Sequence, residues 1–366
     1  MSVKLLHTAD WQIGMNAART GAASPQVREA RFAAARRLAD LAREERVDFA
    51  VLAGDTFEHP GISLAEVERT AEILADFGCP VYVLPGNHDP LEPGGVWDRP
   101  VWRAYANVFV LRRAEVVEAG EAVLFACPLR NRWSGEDPTA WIPSGAHADR
   151  IRIGIAHGTL EGIPSAERAH PIPADAAWAR RLDYLALGDW HSQRVFRGAD
   201  GAERMAYSGT PEPTGFGEDA SGRALIVEID EPRAAPRVRS VETARLRWIQ
   251  RRFEIIHAGQ LAEAKSEIES LQGGHVLLEA HLTGTLLPEE AAVLESLRGM
   301  EAGFLYLQID GTGLAPAIEL EKIEIRDPIV RAALRRLEEK GREGPEARAA
   351  RLAVQTLLRL AKGVGA

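Results

Sequence analysis

Cysteine is scarce in this chain: among 366 residues only Cys79 and Cys127 carry thiols. Two cysteines cannot build a disulfide framework, and the usage suits a reducing cytoplasm. Both sit beside prolines at the ends of apolar runs and read as buried thiols. Long apolar runs are missing too. Nothing approaches the roughly 20 uninterrupted apolar residues that a membrane helix needs. The opening MSVKLLHTAD sets His7 and Asp10 where a signal peptide would keep its apolar core, which argues against secretion. Nor is there an excess of basic charge. The formal net charge is −9, the wrong sign for holding nucleic acid by bulk electrostatics, so any DNA contact has to be local. No Walker-type phosphate loop occurs, which takes ATP hydrolysis away from this chain. Hydrophobic residues at 46% and charged residues at 27% exclude disorder, collagen and a coiled-coil rod as descriptions of the whole. The length suits about two or three domains.

What is present alternates strand-like and helical patterns. Val3-Lys4-Leu5-Leu6 reads as a strand. Ser24-Pro25 opens an amphipathic helix to about Arg46, with Ser as N-cap and Pro at the first helical position. Phe49–Leu52 is a second strand, Ser63-Leu64-Ala65-Glu66 has capping-box spacing for a helix to about Phe77, and Val81–Leu84 is a third strand. Ile151–Ile155 and Tyr184–Leu187 follow as strands, so the pattern is α/β layering. Between Arg233 and Arg252 stand seven arginines against Glu242 alone. They read either as an outer strand and linker turning arginines to water or as a basic edge facing DNA backbone. A compact module comes next: helix Gln260–Leu271, strand Val276–His281, helix Pro288–Leu297, strand Phe304–Ile309. The end is helical. Asp327-Pro328 is an N-cap and first-turn pair, Gly341 to Pro345 is a break, and a last helix carries Leu352, Val354, Leu357, Leu358 and Leu360.

Five apolar runs end directly in Asp, Asn or His. The endings are His7-Thr8-Ala9-Asp10-Trp11-Gln12, Gly54-Asp55-Thr56-Phe57-Glu58, Gly86-Asn87-His88-Asp89, Ala156-His157-Gly158 and Gly188-Asp189-Trp190-His191. A lone Asp after a strand is often a cap or turn residue. Five such endings in order are a site, because loops at one end of neighbouring strands converge in layered α/β folds. The set mixes carboxylate, amide and imidazole without thiol, a chemistry for Mn²⁺, Fe or Zn²⁺. There are too many ligands for one ion, so two ions bridged by one carboxylate is the economical arrangement. Two such metals, about 3.5–4 Å apart, clamp the attacking and leaving oxygens of an in-line phosphoryl displacement. The reaction read from these residues is phosphoester hydrolysis.

The order of these motifs resembles the calcineurin-like metallophosphoesterases. His7-Thr8-Ala9-Asp10-Trp11, Gly54-Asp55-Thr56-Phe57, Tyr207-Ser208-Gly209-Thr210-Pro211 and Phe216-Gly217-Glu218 look more narrowly like the SbcD-type DNA repair nucleases. The likeness covers the chain to about residue 245. It implies a layered β-sandwich flanked by helices, with a small α/β capping domain and C-terminal helices. It also implies a bridging Asp55, with Asp10 and His191 on one ion and Asn87 and His157 on the other. His88 would contact the scissile phosphate and help protonate the leaving oxygen, with Asp89 orienting it. Two positions depart from the family pattern: Gln12 stands where His is expected, and Asp189 where the motif has His. Both remain in the candidate ligand set, and a neutral amide plus a third carboxylate shifts preference toward harder ions such as Mn²⁺.

The resemblance implies further parts. Domains are expected at 1–245 (nuclease), 246–322 (capping and DNA contact) and 323–366 (C-terminal helices docking on an SbcC-like SMC-type ATPase). Packing of those helices on their own domain is the other reading, and a linker at Leu314–Ile325 would free them for a partner. Family members also dimerise through the nuclease domain. Glu58 and His59 could reach substrate or sit in a solvated loop. His147, His170, His257, His275 and His281 read as surface or strand residues. Trp11, Phe57 and Trp190 either stack on a base or pack the wall. The expectation is a cytoplasmic, two-metal, Mn²⁺-preferring DNA exonuclease, with endonuclease activity as an extension. The alternatives are a small-nucleotide phosphodiesterase or phosphatase, and a DNA-end scaffold that hardly cuts.

Overall fold

The computed structural model describes residues 2–163, 169–316, 327–342, 349–350, 353–354 and 357. The chain divides into two compact units, Met1–Trp248 and Ile249–Ala366. The first holds strands β1 (Val3–Thr8), β2 (Phe49–Ala53), β3 (Val81–Leu84), β4 (Val108–Val110), β5 (Val116–Ala119) and β6 (Ala122–Cys127). It continues with β7 (Ile151–His157), β8 (Tyr184–Gly188), β9 (Arg194–Phe196), β10 (Met205–Tyr207), β11 (Arg223–Ile229) and β12 (Arg237–Glu242). Its helices are α1 (Ser24–Glu45), α2 (Leu64–Ala75) and the single turn α3 (Ala176–Ala179).

The strands form two six-stranded sheets, in the orders β12-β11-β1-β2-β3-β4 and β5-β6-β7-β8-β10-β9. In the first, β1 to β4 run parallel and β11 and β12 close one edge antiparallel. In the second, β6, β7, β8 and β10 are parallel between antiparallel edges β5 and β9. Strand alternation divides the apolar side chains between two cores. Leu5, Phe49, Val51 and Leu84 meet Ile153, Ile155 and Ala186 between the sheets. Their neighbours Leu6, Leu52 and Val83 face Phe32 and Leu38 of α1 and Val67 and Leu74 of α2. Being buried on both faces is why these strands read as unbroken apolar runs. The outer face of the second sheet, with Phe125, Leu185 and Tyr207, is covered by Ile142, Leu160, Ile172 and α3. The result is the expected layered sandwich, with long helices on one side and loops with a single turn on the other.

The helix starts differ in kind. Ser63 completes a capping box: its hydroxyl accepts from the Glu66 N–H at 3.3 Å, and Glu66 Oε2 accepts from the Ser63 N–H at 3.3 Å. Ser24 was expected to cap α1 but lies inside it. A 3₁₀ stretch, Ala18–Ala23, runs into the helix, and the Ser24 hydroxyl donates back to Ala17 O (2.8 Å) and Gly21 O (2.7 Å).

The second unit contains a three-stranded sheet, β13 (Arg247–Ile255), β14 (Gly273–Leu286) and β15 (Phe304–Pro316), in that order. The strand β13 begins at the boundary between the units. Helices α4 (Gln260–Ser270) and α5 (Ala291–Arg298) pack Leu261, Ile268, Leu294 and Leu297 onto Val276, Leu278 and Ala280. Both long strands exceed the expected ranges, and β15 absorbs Leu314–Pro316 of the expected linker. The rest of that linker, most of the expected break after Arg342, and Leu352, Leu358 and Leu360 lie outside the described residues. The helix α6 (Pro328–Arg342) starts as expected, with Asp327 Oδ1 accepting from the Ile329 N–H at 2.7 Å. No helix among the described residues is long and apolar enough to cross a membrane.

Removing the box with Ser63→Ala should destabilise the first unit by about 0.5–2 kcal/mol. A lower urea midpoint with an unchanged slope is the expected outcome, and an unmoved midpoint would contradict the capping argument.

Candidate metal centre

Parallel strands present their carboxyl ends at one rim, and both sheets contribute to it. The loop after β1 runs along the loop after β2: the Asp10 N–H donates to Gly54 O (3.0 Å), Gln12 to Asp55 O (3.1 Å) and Ile13 to Thr56 O (3.0 Å). This fastening bends the backbone. Asp10, Gln12, Asp55 and Asp189 all have positive φ (54°, 50°, 51° and 109°), a region costly for residues with a Cβ. The loops leave no spare room either. A Cβ on Gly86 would stand 2.2 Å from Asp55 Oδ1, and one on Gly54 2.1 Å from His157 Nδ1.

Asp10, Asp55 and His157, all buried, bring a ligand atom each within 4.8 Å of one another. The His157 Nδ1–H donates to Ala53 O at 2.9 Å, which fixes the tautomer and turns Nε2 toward Asp55 Oδ1 at 3.4 Å. This is how a ligating histidine is held. The amide end of Asn87 lies 2.8 Å from His157 Nε2 and 3.2 and 3.1 Å from Asp55 Oδ1 and Oδ2. Around a cation the amide oxygen would face inward as a ligand. Gln12 approaches from the other side. Its Nε2 donates to Asp55 Oδ2 at 3.1 Å, and its Oε1 is buried without a partner among the described residues. A buried carbonyl oxygen left unpaired beside carboxylates fits a site built for an ion.

Around this centre opens a cleft of about 300 Å³, with Gln12, Glu58, His88 and His191 in its wall. The His88 backbone N–H donates to Asp55 Oδ1 at 2.9 Å, and its Nδ1 pairs with the Glu58 carbonyl at 2.9 Å. The partner expected for the His88 ring, Asp89, is engaged elsewhere: its fully buried carboxylate accepts from the Gly86 N–H (2.7 Å) and the Phe57 N–H (3.0 Å). Asp89 therefore ties the β2 and β3 loops together, and the Glu58 carbonyl orients His88. His191 pairs through Nδ1 with Thr214 Oγ1 and Glu218 Oε1, both at 2.9 Å, leaving Nε2 for the centre. The Asp189 backbone N–H donates to Asp10 Oδ1 at 3.1 Å, while its carboxylate accepts from Thr159 Oγ1 at 2.9 Å.

The model of the calcineurin-like phosphoesterases matches residues 3–206, the span that supplies every candidate ligand, His88 and Asp89. The chain belongs to the calcineurin-like phosphoesterase family. An uncharacterized metallophosphoesterase of Bacillus subtilis, YhaO, is 31% identical over 178 residues, 46% of this chain and 43% of that protein. The SbcD component of the SbcCD nuclease of Escherichia coli K12 is 24% identical over 284 residues, 62% of this chain and 64% of that component. The phosphoesterase thus spans less than two thirds of the length of either relative. Among solved structures, the protein TT1561 of Thermus thermophilus overlaps 66% of this chain and 100% of its own, at 12% identity and a TM-score of 0.41.

Several residues that hold the phosphoesterase site together carried no legible signal. Arg31, fully buried on α1, donates from Nε to Trp11 O (2.8 Å), from Nη1 to Pro213 O (3.1 Å) and from Nη2 to Thr210 Oγ1 (3.2 Å). Thr159 and Thr214 likewise do their work across long sequence separations. Glu218 appeared only within a family motif. Of the aromatics in the motifs, Trp11 and Phe57 are 1% and 0% exposed and pack the core, so neither can stack on a ligand. His170 belongs to neither expected class: it is a buried loop residue whose Nε2 pairs with Asn131 O at 3.2 Å. The arginine-rich edge is neutralised in part: Arg237 pairs with Glu228 and Asp230, Arg239 with Glu45 and Arg251 with Glu267.

The electrostatics of the phosphoesterase follow from three carboxylates crowding one imidazole. Burial raises the Asp10 carboxyl, and Asp55 and Asp189 add to that against the pull of His157 and His191. Burial would also raise Asp55, but His157 and the His88 N–H outweigh it and hold that carboxyl low. For His157, burial disfavours the charged ring, yet Asp55, Asp10 and Asp189 win and raise it to about 10. The ion-free protein therefore keeps a proton on His157 at neutral pH. Because an imidazolium cannot ligate, a divalent ion has to displace that proton, and affinity should rise with pH. Titrating Mn²⁺ calorimetrically in buffers of different ionisation enthalpy should show release of roughly one proton or more per site. An enthalpy independent of buffer would contradict the arrangement.

Proposed function

We propose that the chain is a two-metal phosphodiesterase of the SbcD type that hydrolyses DNA at ends, with Mn²⁺ as the preferred ion and an SbcC-like ATPase as partner. The observation that carries hydrolysis is the convergence of Asp10, Asp55, Asn87 and His157 at the foot of a cleft that also holds His88. Two ions are favoured because Asp55 presents its oxygens to different neighbours, Oδ1 toward His157 and Oδ2 toward Gln12. In this reading Asp55 would be shared, Asn87 and His157 would hold one ion, and Asp10, Gln12, Asp189 and His191 would hold the other. Bound ions would supply charge neutralisation for the phosphoryl group and a nucleophile at neutral pH.

The chain's own residues do the rest. The His88 Nδ1–H is committed to the Glu58 carbonyl, so a proton on Nε2 makes the imidazolium, the form that can protonate a leaving oxygen. Releasing that proton returns a neutral ring without disturbing the Glu58 bond, so the group is positioned before and after transfer. Asp89 keeps the β2 and β3 loops in register, and Glu218 holds His191 in place. DNA as substrate is supported by the 24% identity to the SbcD component of the SbcCD nuclease and by a second α/β unit for which a small substrate gives little need. The helix α6 has Ile329 at 78% exposure, an apolar side chain suited to a helical partner such as the ATPase.

Two observations favour a second reading, a small-nucleotide phosphodiesterase: the cleft is of small-molecule size, and the arginines of β12 are spent on internal ion pairs.

The two are separated by digesting end-labelled linear duplex DNA at low salt with titrated Mn²⁺, beside a small phosphodiester. Low salt matters because an acidic chain holds DNA only through local contacts. The expected result is Mn²⁺-dependent shortening of the duplex, reduced about 10²–10⁴-fold by His88→Asn with Mn²⁺ still bound. Hydrolysis of the small ester with DNA intact, even with the ATPase added, would replace the nuclease by the nucleotide enzyme.

A further inference from the structure

We infer that the cleft beside the candidate metal centre is a nucleoside subsite, in which Trp248 and Phe216 receive the base of the nucleotide whose phosphate faces His88. The inference rests on the phosphoester-hydrolase reading and names the substrate class of that same site. The two rings are the aromatics of the cleft wall, both half-buried, and they meet edge to face with centroids 4.8 Å apart at 68°. The same cleft is lined by Gln12, His88 and His191, and by the exposed Asn16. One cleft therefore joins groups suited to a phosphate with a flat apolar surface, at a volume near the small end for small-molecule sites, about 300 Å³.

The aromatic wall is built in, because the segment that carries Trp248 is pinned to the loop that supports His191. Thr243 Oγ1 donates to Pro211 O at 2.7 Å. The buried Glu212 carboxylate accepts from the Arg245 N–H at 2.6 Å and the Leu246 N–H at 3.0 Å. Two residues beyond Glu212, Thr214 bonds His191 Nδ1, and Phe216 follows two residues later. Base-binding wall and ligating histidine thus move as one piece, which fixes the distance between a bound base and the reacting phosphate. Stacking is tolerant of base identity, since every base has a π-face, so the subsite should prefer nucleosides over simple alkyl groups without choosing strongly among bases.

The test uses the full chain with Mn²⁺ and two ligands that differ only in the base, deoxyadenosine monophosphate and deoxyribose phosphate. Wild-type protein should bind the nucleotide roughly 5- to 150-fold more tightly. Trp248→Ala should erase that ratio, Trp248→Phe should keep most of it, and Phe216→Leu should reduce it, with circular dichroism checking that each variant is folded. Equal affinities in the wild type, or a base preference that survives Trp248→Ala in folded protein, would overturn the subsite. Turnover of the p-nitrophenyl esters of thymidine monophosphate and methyl phosphate, run in parallel, keeps the two readings apart. Hydrolysis of both with equal kcat/KM would leave the hydrolase standing and remove the subsite. A base preference in binding with no turnover would do the reverse. A short oligonucleotide bound more tightly than the mononucleotide, through Trp248, assigns the base to a DNA end; equal binding assigns it to a free nucleotide ester.

Discussion

A carboxylate held at the floor of a cleft between two sheets has lost its water, and everything near Asp55 answers that loss. Oδ1 takes the His88 N–H and faces His157; Oδ2 takes the Gln12 amide; the Asn87 amide end reaches both. Removing a single ionised carboxylate from water costs several kcal/mol unless such partners replace it. They hold the Asp55 carboxyl low, but Asp10 adds a second buried carboxylate beside the first, and nothing comparable offsets that one. The accumulation makes sense as a place prepared for cations, with a proton on His157 standing in for one of them.

Holding these groups together needs a backbone bent against its preferences and a scaffold stiff enough to keep it there. Four of the candidate ligands, Asp10, Gln12, Asp55 and Asp189, sit at positive φ. The ties that stabilise them are buried and polar. Asp89 binds two backbone N–H groups from separate loops, Arg31 reaches three acceptors from α1, and Ala53 O orients His157. Beneath them lies a sandwich whose strands are apolar on both faces, so the rim is carried by the least deformable part of the molecule.

That division explains what could be read in advance. The candidate positions that meet at the rim were legible because their motifs stand at strand ends, and a strand end is a local pattern. The layered α/β class followed from the same alternation. What stayed hidden depends on contacts between distant segments. Thr159 answers Asp189 and Glu218 answers His191, but neither pairing leaves a spacing to find. The job assigned to Asp89 went to a backbone carbonyl, that of Glu58, which has no side-chain signature at all. Trp248 stood in an arginine-rich stretch that drew attention to charge, and its place in the cleft wall became visible only with the loop around Glu212 in position. The capping of α1 was misread for a related reason, since the 3₁₀ stretch ahead of Ser24 has no strong sequence mark.

The central claim is that Asp55 is the shared ligand of two ions. Crystals soaked in Mn²⁺ and measured on both sides of its absorption edge test it directly. The account predicts two anomalous peaks about 3.5–4 Å apart, both touching Asp55, one flanked by Asn87 and His157 and the other by Asp10 and His191. A single peak away from Asp55, or none at saturating Mn²⁺, would contradict it.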